Sequence, residues 1–360
     1  MTDTSSLLEP PISGPFHALL VEDAGNRKTK SSIQQITIDD LPPHEVLIKV
    51  AFSTLNYKDG LAIAGSSKGR ICRKLPMVGG IDLAGTVVES SSLSLSSSQN
   101  KFQKGDAVLV NGFGLSETQW GGYSEYAKMK PEWLVPVPKE FSLEQAMGIG
   151  TAGYTSMLCV NAIRDAGIQP ADGPVLVTGA SGGVGSIAIH LLSKLGYDVV
   201  ASTGRAAVTH DYLKSLGASS CLDRKDLDRD PKPLEKEVWA AAVDSVGSRT
   251  LASVLAQTKY GGVVAACGLV GGMDLPSSVA PFILRGVTLK GIDSVMAPMA
   301  KREKAWKDLA ELMDPKILSD IYKVEPFSQL PTLADQIVKG EIKGRVVIDV
   351  GQNYPISQKL

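Results

Sequence analysis

Two short stretches of this chain carry residue types that could do chemistry. The first, "LNYKDG" (55–60), sets an amide, a phenol, an ammonium and a carboxylate side by side. Asn56 could donate to a carbonyl oxygen that gains negative charge, and Tyr57 could give a proton directly or through water. Lys58 and Asp59 could make an adjacent ion pair that fixes the loop. The plain alternative for Tyr57 is a packed, hydrogen-bonded tyrosine. The second stretch, "GASGGVGS" (179–186), lies between apolar "PVLVT" and amphipathic "VGSIAIHLLSKLG". A strand that turns sharply into a helix presents unpaired N–H groups to an anion, and glycine lets a pyrophosphate come close. In register the pattern is Ala180-x-Gly182-x-x-Gly185, with Gly179 before it and Gly183 inside it. The first glycine of the G-x-G-x-x-G fingerprint is thus replaced or displaced. A purely structural glycine turn is the alternative, and the strand before and helix after favour a dinucleotide site.

The following strand discriminates between cofactors. An acidic residue at its end would take the adenosine ribose 2′-OH. Here "DVVASTGR" ends in Ser202, Thr203, Gly204 and Arg205, with no carboxylate. A small polar pair beside a guanidinium suits a 2′-phosphate, so NADPH is expected over NADH. A solvated surface arginine is the alternative for Arg205. Arg224 could add charge to the same pocket.

These motifs need elements to hold them. Residues up to about 150 read as β-rich, with "FHALLVE", "IQQITI", "HEVLIKVAFST", "IDLAGTVVES" and "KGDAVLV" as strands. The serine-rich "SSLSLSSSQN" (91–100) reads as an exposed loop. A helix is predicted over 149–163, and beyond it strands and helices alternate. That alternation implies an α/β fold with a doubly wound parallel sheet. "KREKAWKDLAELM" (301–313) is a long helix, and "LADQIVKGEI" and "GRVVIDV" close the chain as helix and strand.

Composition narrows the classes. With 360 residues, two domains are the prior. Lys and Arg total 37 and Asp and Glu 38, so no global field draws in nucleic acid or an anionic membrane. Cys72, Cys159, Cys221 and Cys267 form no CxxC pair, and His17, His44, His190 and His210 show no ligand spacing. No apolar run is long enough to span a bilayer, and the start lacks a signal-peptide pattern. A cytoplasmic protein is expected.

The chain resembles the medium-chain dehydrogenase/reductases. Within them it is similar to the zinc-free acryloyl-coenzyme A reductases, also described as quinone oxidoreductases. The motifs are "STLNYKDGLAIAG", "PMVGGIDLAGTV", "WGGYSEYAKM", "IGTAGYTSMLCV", "VTGASGGVGS", "LKSLGAS", "YGGVVAACGLVGG", "PFILRGVTLKGIDSVM" and "GEIKGRVVIDV". The resemblance implies a GroES-like catalytic domain first (1–150), a Rossmann NADP-binding domain (151–298), and a return to the catalytic domain (299–360). It also implies a homodimer through the cofactor domains. Zinc relatives carry a cysteine where Asn56 stands and a histidine where Ile81 stands, so a zinc-independent reductase is expected.

The implied reaction is NADPH-dependent reduction of the C=C bond of a short 2-enoyl thioester, acryloyl-CoA as type substrate, by hydride transfer to the β-carbon. The alternatives are a quinone or enone oxidoreductase and a non-catalytic NADPH-binding protein. By resemblance, cofactor contacts fall at Tyr57, Ser181, Gly182, Gly183, Val184, Thr203, Gly204, Arg205 and Arg224. Further ones fall at Leu269, Ile283, Ser294 and Lys339. Tyr57 and Asn56 are the catalytic candidates. Asp82 is expected to be structural. Arg70, Arg73, Lys74 and the basic start of the helix at 301 are options for the phosphates of coenzyme A.

Overall fold

The structure is a computed structural model that describes residues 14–26, 28–65, 71–91 and 102–351. Arg70 and nearly all of the serine-rich stretch lie outside the described residues. The first part of the chain is built of strands Phe16–Gly25 (β1), Lys28–Ile36 (β2), Val46–Leu55 (β3), Met77–Val78 (β4), Asp82–Ser90 (β5), Ala107–Asn111 (β6), Tyr126–Met129 (β7) and Val135–Pro136 (β8). Between β3 and β4 lies a short helix, Tyr57–Ile63 (α1). It starts there because Asn56 caps it and Asp59, three residues on, accepts the Asn56 backbone N–H. β3 and β5 are buried over most of their length and pair antiparallel, with β6 beyond β5.

A long helix, Leu143–Asp165 (α2), follows. It begins earlier than the sequence predicted because Ser142 and Gln145 form a reciprocal cap. The helix is interrupted at Gly150, where φ is +51° and ψ is −157°. A side chain at Gly150 would strike the Arg345 guanidinium and crowd Asp82.

Next come strands Val175–Val177 (β9), Val199–Thr203 (β10), Ser220–Asp223 (β11), Trp239–Asp244 (β12), Thr258–Ala266 (β13) and Thr288–Gly291 (β14). They form one parallel sheet in the order β11-β10-β9-β12-β13-β14. β9 and β12 are buried at every position, as strands covered on both faces must be. Helices Gly183–Lys194 (α3), Ala206–Ser215 (α4), Ser248–Gln257 (α5) and Ala280–Arg285 (α6) make crossovers. The order reverses between β9 and β12, and the carboxyl ends of strands at such a reversal are where doubly wound sheets bind their ligands.

The chain then runs through Met299–Leu312 (α7), Pro315–Ile321 (α8), Tyr322–Pro326 (β15), Leu330–Val338 (α9) and Arg345–Asp349 (β16). β16 pairs antiparallel with β3, placing Val346 opposite Leu55. The end of the chain therefore completes the sheet that its beginning started. No helix of the described residues is long and apolar enough to cross a membrane.

Helix α3 sits hard on the sheet. A Cβ at Gly185 would come within 2.6 Å of Ala180 Cα and Gly179 O. Gly185→Ala should force α3 away from β9 and cost about 1–3 kcal/mol. Urea denaturation checks this; an unchanged midpoint would mean that the helix lifts freely.

Candidate active site

The site is built around one carboxylate. Asp82, at the start of β5, is fully buried. Its Oδ1 accepts from Thr54 N at 3.1 Å and Thr54 Oγ1 at 2.7 Å. Its Oδ2 accepts from Thr151 N at 2.8 Å and Asn56 Nδ2 at 3.4 Å. β3, α1 and α2 therefore meet on a single residue. The expectation that Asp82 is structural fits this geometry, although its task is to join elements and not merely to turn a strand.

A second carboxylate, Asp59, is fully buried beside it. It accepts from Asn56 N at 2.9 Å, Asn56 Nδ2 at 3.1 Å and Ile81 N at 3.0 Å. The expected Lys58–Asp59 pair is not formed. Lys58 Nζ instead meets Glu117 Oε1 at 2.6 Å, and Asp59 turns inward. Adjacent residues on a helix point in different directions, so they do not face each other. Burial, and then the charge of Asp82, push the Asp59 carboxyl up to about 7. Tyr123, buried nearby, donates to Thr54 O at 2.9 Å, and burial raises its pKa well above the ordinary phenol range.

Arg345 closes the cluster. It is 3% exposed, and its Nη1 donates to Asn56 Oδ1 at 3.0 Å. Its charge faces Asp82 and Asp59, while burial pushes its own pKa down. Its Nη2 is buried and has no hydrogen-bond partner among the described residues. The sequence reading passed over Arg345, Thr54 and Thr151. A signal for Arg345 was present: a lone arginine opening the apolar run "RVVID" must find buried partners.

Asn56 is consequently engaged on every side, with its amide hydrogens directed at Thr54, Asp59 and Asp82. Tyr57, the first residue of α1, is partly exposed, and no described residue hydrogen-bonds its hydroxyl.

The glycine turn lies beside this cluster. A Cβ on Gly183 would come within 2.8 Å of Arg345 Cδ, so the first turn of α3 rests on the Arg345 stem. Gly182 is the N-cap of α3, with open space on most sides. Gly183 and Val184 follow as the first helical residues. The crevice thus presents free N–H groups at close backbone approach, a fit for a pyrophosphate. Ser181 Oγ lies 3.1 Å from Thr203 Oγ1 and accepts from Arg205 Nη2 at 3.0 Å. Arg205 also donates to the carbonyls of Glu341 and Ile342. The Arg224 guanidinium lies over Gly204. Ser181, Thr203, Gly204, Arg205 and Arg224 are therefore together, as the sequence predicts.

The remaining candidates spread along the crevice edge and surface. Leu269 is 54% exposed, on a turn that packs against Gly247. Ser294 lies partly exposed in the loop before α7. Lys339 caps the end of α9 and is exposed. Ile283 stands on α6, 73% exposed, among bare Val279 and Leu284. Arg73 and Lys74 are exposed, and their N–H groups donate to the carbonyl of Glu117, the partner of Lys58. Lys301 and Lys304 instead line a cavity of about 480 Å³ with Asn161 and Asp165 and with Asp293, Met296 and Ala297 from the loop before α7. That cavity flanks the end of α2 opposite Thr151, about 15 Å along the helix. Among the described residues no group of three or more His, Cys, Asp or Glu is placed to hold a metal.

Asp59 gives the site a pH signature. Its proton is held more tightly in the folded chain than in the unfolded one. The group therefore costs stability progressively as pH rises from about 4 to about 7, and the cost is complete above that. Asp59→Asn should remove this slope, seen in denaturation midpoints at several pH values. An identical pH dependence in the variant would place the proton elsewhere.

Comparison with known proteins adds to this geometry. The family described as alcohol dehydrogenase GroES-like domain matches residues 42–139, and that described as zinc-binding dehydrogenase matches residues 183–314. The acrylyl-CoA reductase AcuI of Ruegeria pomeroyi is 48% identical over 93% of this chain and 99% of its own. YhfP of Bacillus subtilis, provisionally named a quinone oxidoreductase, is 46% identical over 94% of this chain and 99% of its own. The crystal structure of Escherichia coli K-12 YhdH with bound NADPH superposes with a TM-score of 0.88 at 48% identity, covering 93% of this chain and all of that one. A GroES-like part, a Rossmann-type part and these relatives together show that the chain belongs to the medium-chain dehydrogenase/reductase superfamily, in the group that includes AcuI and YhfP.

Proposed function

We propose that this protein is an NADPH-dependent reductase of short 2-enoyl thioesters, with acryloyl-CoA as type substrate. The observation that carries the reading is the double engagement of Arg345. Its stem supports the glycine turn at Gly183, and its guanidinium holds Asn56 beside Tyr57. The place that suits a pyrophosphate and the place that holds candidate reacting groups are thus one rigid unit. The likeness to AcuI and to NADPH-bound YhdH supports the same reading.

Bound NADPH would supply the hydride that adds to the β-carbon of the enoyl group. The N–H groups of Gly183 and Val184 would hold its pyrophosphate, and Arg205, Arg224, Ser181 and Thr203 its 2′-phosphate. Leu269, Ser294, Ile283 and Lys339 are the further cofactor contacts of the proposal. As the thioester oxygen gains negative charge, fixed dipoles and charges at the site lower the barrier. Arg345 provides such a charge, with a buried Nη2 that no described residue accepts from. Asn56 orients this centre through its three acceptors. Tyr57, partly exposed and with a free hydroxyl among described residues, is the proposed source of the proton for the α-carbon. Arg73 and Lys74, held near α1 through Glu117, offer positive charge for the phosphates of coenzyme A.

In this proposal residues 1–150 and 299–360 form the catalytic part and residues 151–298 the cofactor part. A homodimer is part of the proposal. β14 is an edge strand, and Val270, Met273, Val279, Ile283 and Leu284 near it in sequence are all at least half exposed, a patch that a second copy would cover. The cytoplasm is the proposed location, in keeping with Cys159, Cys221 and Cys267, which form no disulfide.

Steady-state NADPH consumption with acryloyl-CoA and with a quinone, run side by side, tests the reading. Faster turnover of the enoyl thioester is expected. Turnover of the quinone alone favours the function for which YhfP is named, and turnover of neither favours a binding protein. Arg205→Ala should weaken NADPH by about 1.5–3 kcal/mol, the size of a charge-assisted hydrogen bond, and leave NADH nearly unchanged. Equal loss for both in calorimetric titration counts against the 2′-phosphate role. Tyr57→Phe should lower kcat by about 10²-fold, with the Kd for NADPH little changed. A weaker Kd with intact kcat would make Tyr57 a support for the cofactor only.

A further inference from the structure

Arg302, on α7, is among the largest side chains that are fully buried, at 1% exposure. Its Nε donates to Ala297 O at 2.9 Å and its Nη1 to Asn111 O at 2.5 Å. Its Nη2 donates to Val295 O at 2.6 Å and Ser294 O at 3.2 Å. The guanidinium carbon stands 3.9 Å from the centre of the Phe113 ring. Its charge is met by carbonyl dipoles and two rings, the second being Tyr154 at 5.3 Å, with Asp293 acting only from a distance. A buried cation without an anionic partner is costly, and an apolar side chain would fill the same volume more favourably.

What this cation joins is specific. Ser294–Ala297 is a loop between the cofactor sheet and α7. Asn111 ends β6 in the other part of the molecule. A second bond reinforces the join, Phe113 N to Val295 O at 2.9 Å. The close approach needs Gly112, whose φ is +77° and whose Cβ would come within 2.7 Å of Val295 O. From Asn111 the hydrogen bonds continue. Its Oδ1 accepts from Trp306 Nε1 at 3.2 Å, and its Nδ2 donates to Thr151 Oγ1 at 3.3 Å. Thr151 N donates to Asp82, which holds Asn56. An unbroken chain therefore runs Arg302–Asn111–Thr151–Asp82–Asn56.

We infer that Arg302 is a positioning residue for the reduction, one that fixes the Ser294–Ala297 loop in register with the Asp82–Asn56 centre. This rests on the proposed reading in which Ser294 touches the cofactor. The anchor acts on the distance between hydride donor and acceptor, because the loop stands on the cofactor side and Asn111 on the substrate side. Affinity, supplied mainly by phosphate contacts elsewhere, depends on it little. Lysine keeps the charge but cannot span four carbonyls.

The full-length Arg302→Lys variant tests this with two readouts. Hydrogen exchange at the Phe113 amide, measured without substrate, should quicken by about tenfold or more, while Val175–Val177 stays protected. The kcat with acryloyl-CoA should fall by about tenfold or more, with the Kd for NADPH within about threefold. Thr151→Val, which cuts the chain beyond Asn111, should lower kcat and leave Phe113 exchange unchanged. A folded Arg302→Lys with unaltered exchange, or with weakened NADPH binding and intact kcat, overturns the inference. If Arg302→Lys does not fold, Thr151→Val decides: unchanged kcat overturns it. If the wild-type protein is inert toward enoyl thioesters, the proposed function fails, and Phe113 exchange still judges the anchor.

Discussion

The burial of Asp82 is the constraint on which the site depends. A carboxylate with no access to water must find hydrogen-bond donors or take up a proton. Here Thr54, Thr151 and Asn56 supply the donors. They come from β3, from α2 just past its interruption, and from the cap of α1, so satisfying one carboxylate fixes three elements. A second buried carboxyl, Asp59, raises the electrostatic cost. Arg345 offsets it, and Arg345 reaches the centre only because Gly150 and Gly183 leave room for its guanidinium and stem. The interruption of α2, the glycine at the start of α3 and the return of the chain at β16 are consequences of one charge arrangement.

That arrangement orders the site along the chain. Residues 341–345 pass from carbonyls that bind Arg205, through Gly344 N on Ser181 O, to Arg345 on Asn56. One short segment thus reaches both the Arg205 guanidinium and the Asn56–Asp82 cluster. Burial of Gly344 and Arg345 keeps the inner end of this segment stiff, since local dielectric is low and neighbours are close-packed. Tyr57 is partly open, unlike the buried Asn56, Asp59, Asp82 and Arg345 of the cluster beside it.

Local features were legible in the sequence. The glycine turn, the alternation of strand and helix, and the carboxylate-free end of β10 each depend on a few adjacent residues. So the sequence predicts that Ser181, Thr203, Gly204 and Arg205 lie together, and their side chains and backbone do meet at the end of β10. Features set by distant partners were not legible. Lys58 and Asp59 look like a pair when written side by side, yet helix geometry sends one to Glu117 and the other into the core. Gly150 reads as one more glycine in a helix start, because the residue that requires it lies near the other end of the chain. Lys301 and Lys304 look like phosphate ligands until the length of α2 separates them from Thr151.

The central claim is that this arrangement delivers hydride to carbon of an enoyl thioester. Turnover of acryloyl-CoA with NADPH that carries deuterium at both C4 positions of the nicotinamide tests this, with the position of label in the product read by mass spectrometry and NMR. The account expects propionyl-CoA with one deuterium on the β-carbon and a solvent-derived proton on the α-carbon. Deuterium on the α-carbon, or reduction at the thioester carbonyl with the C=C bond intact, would contradict it.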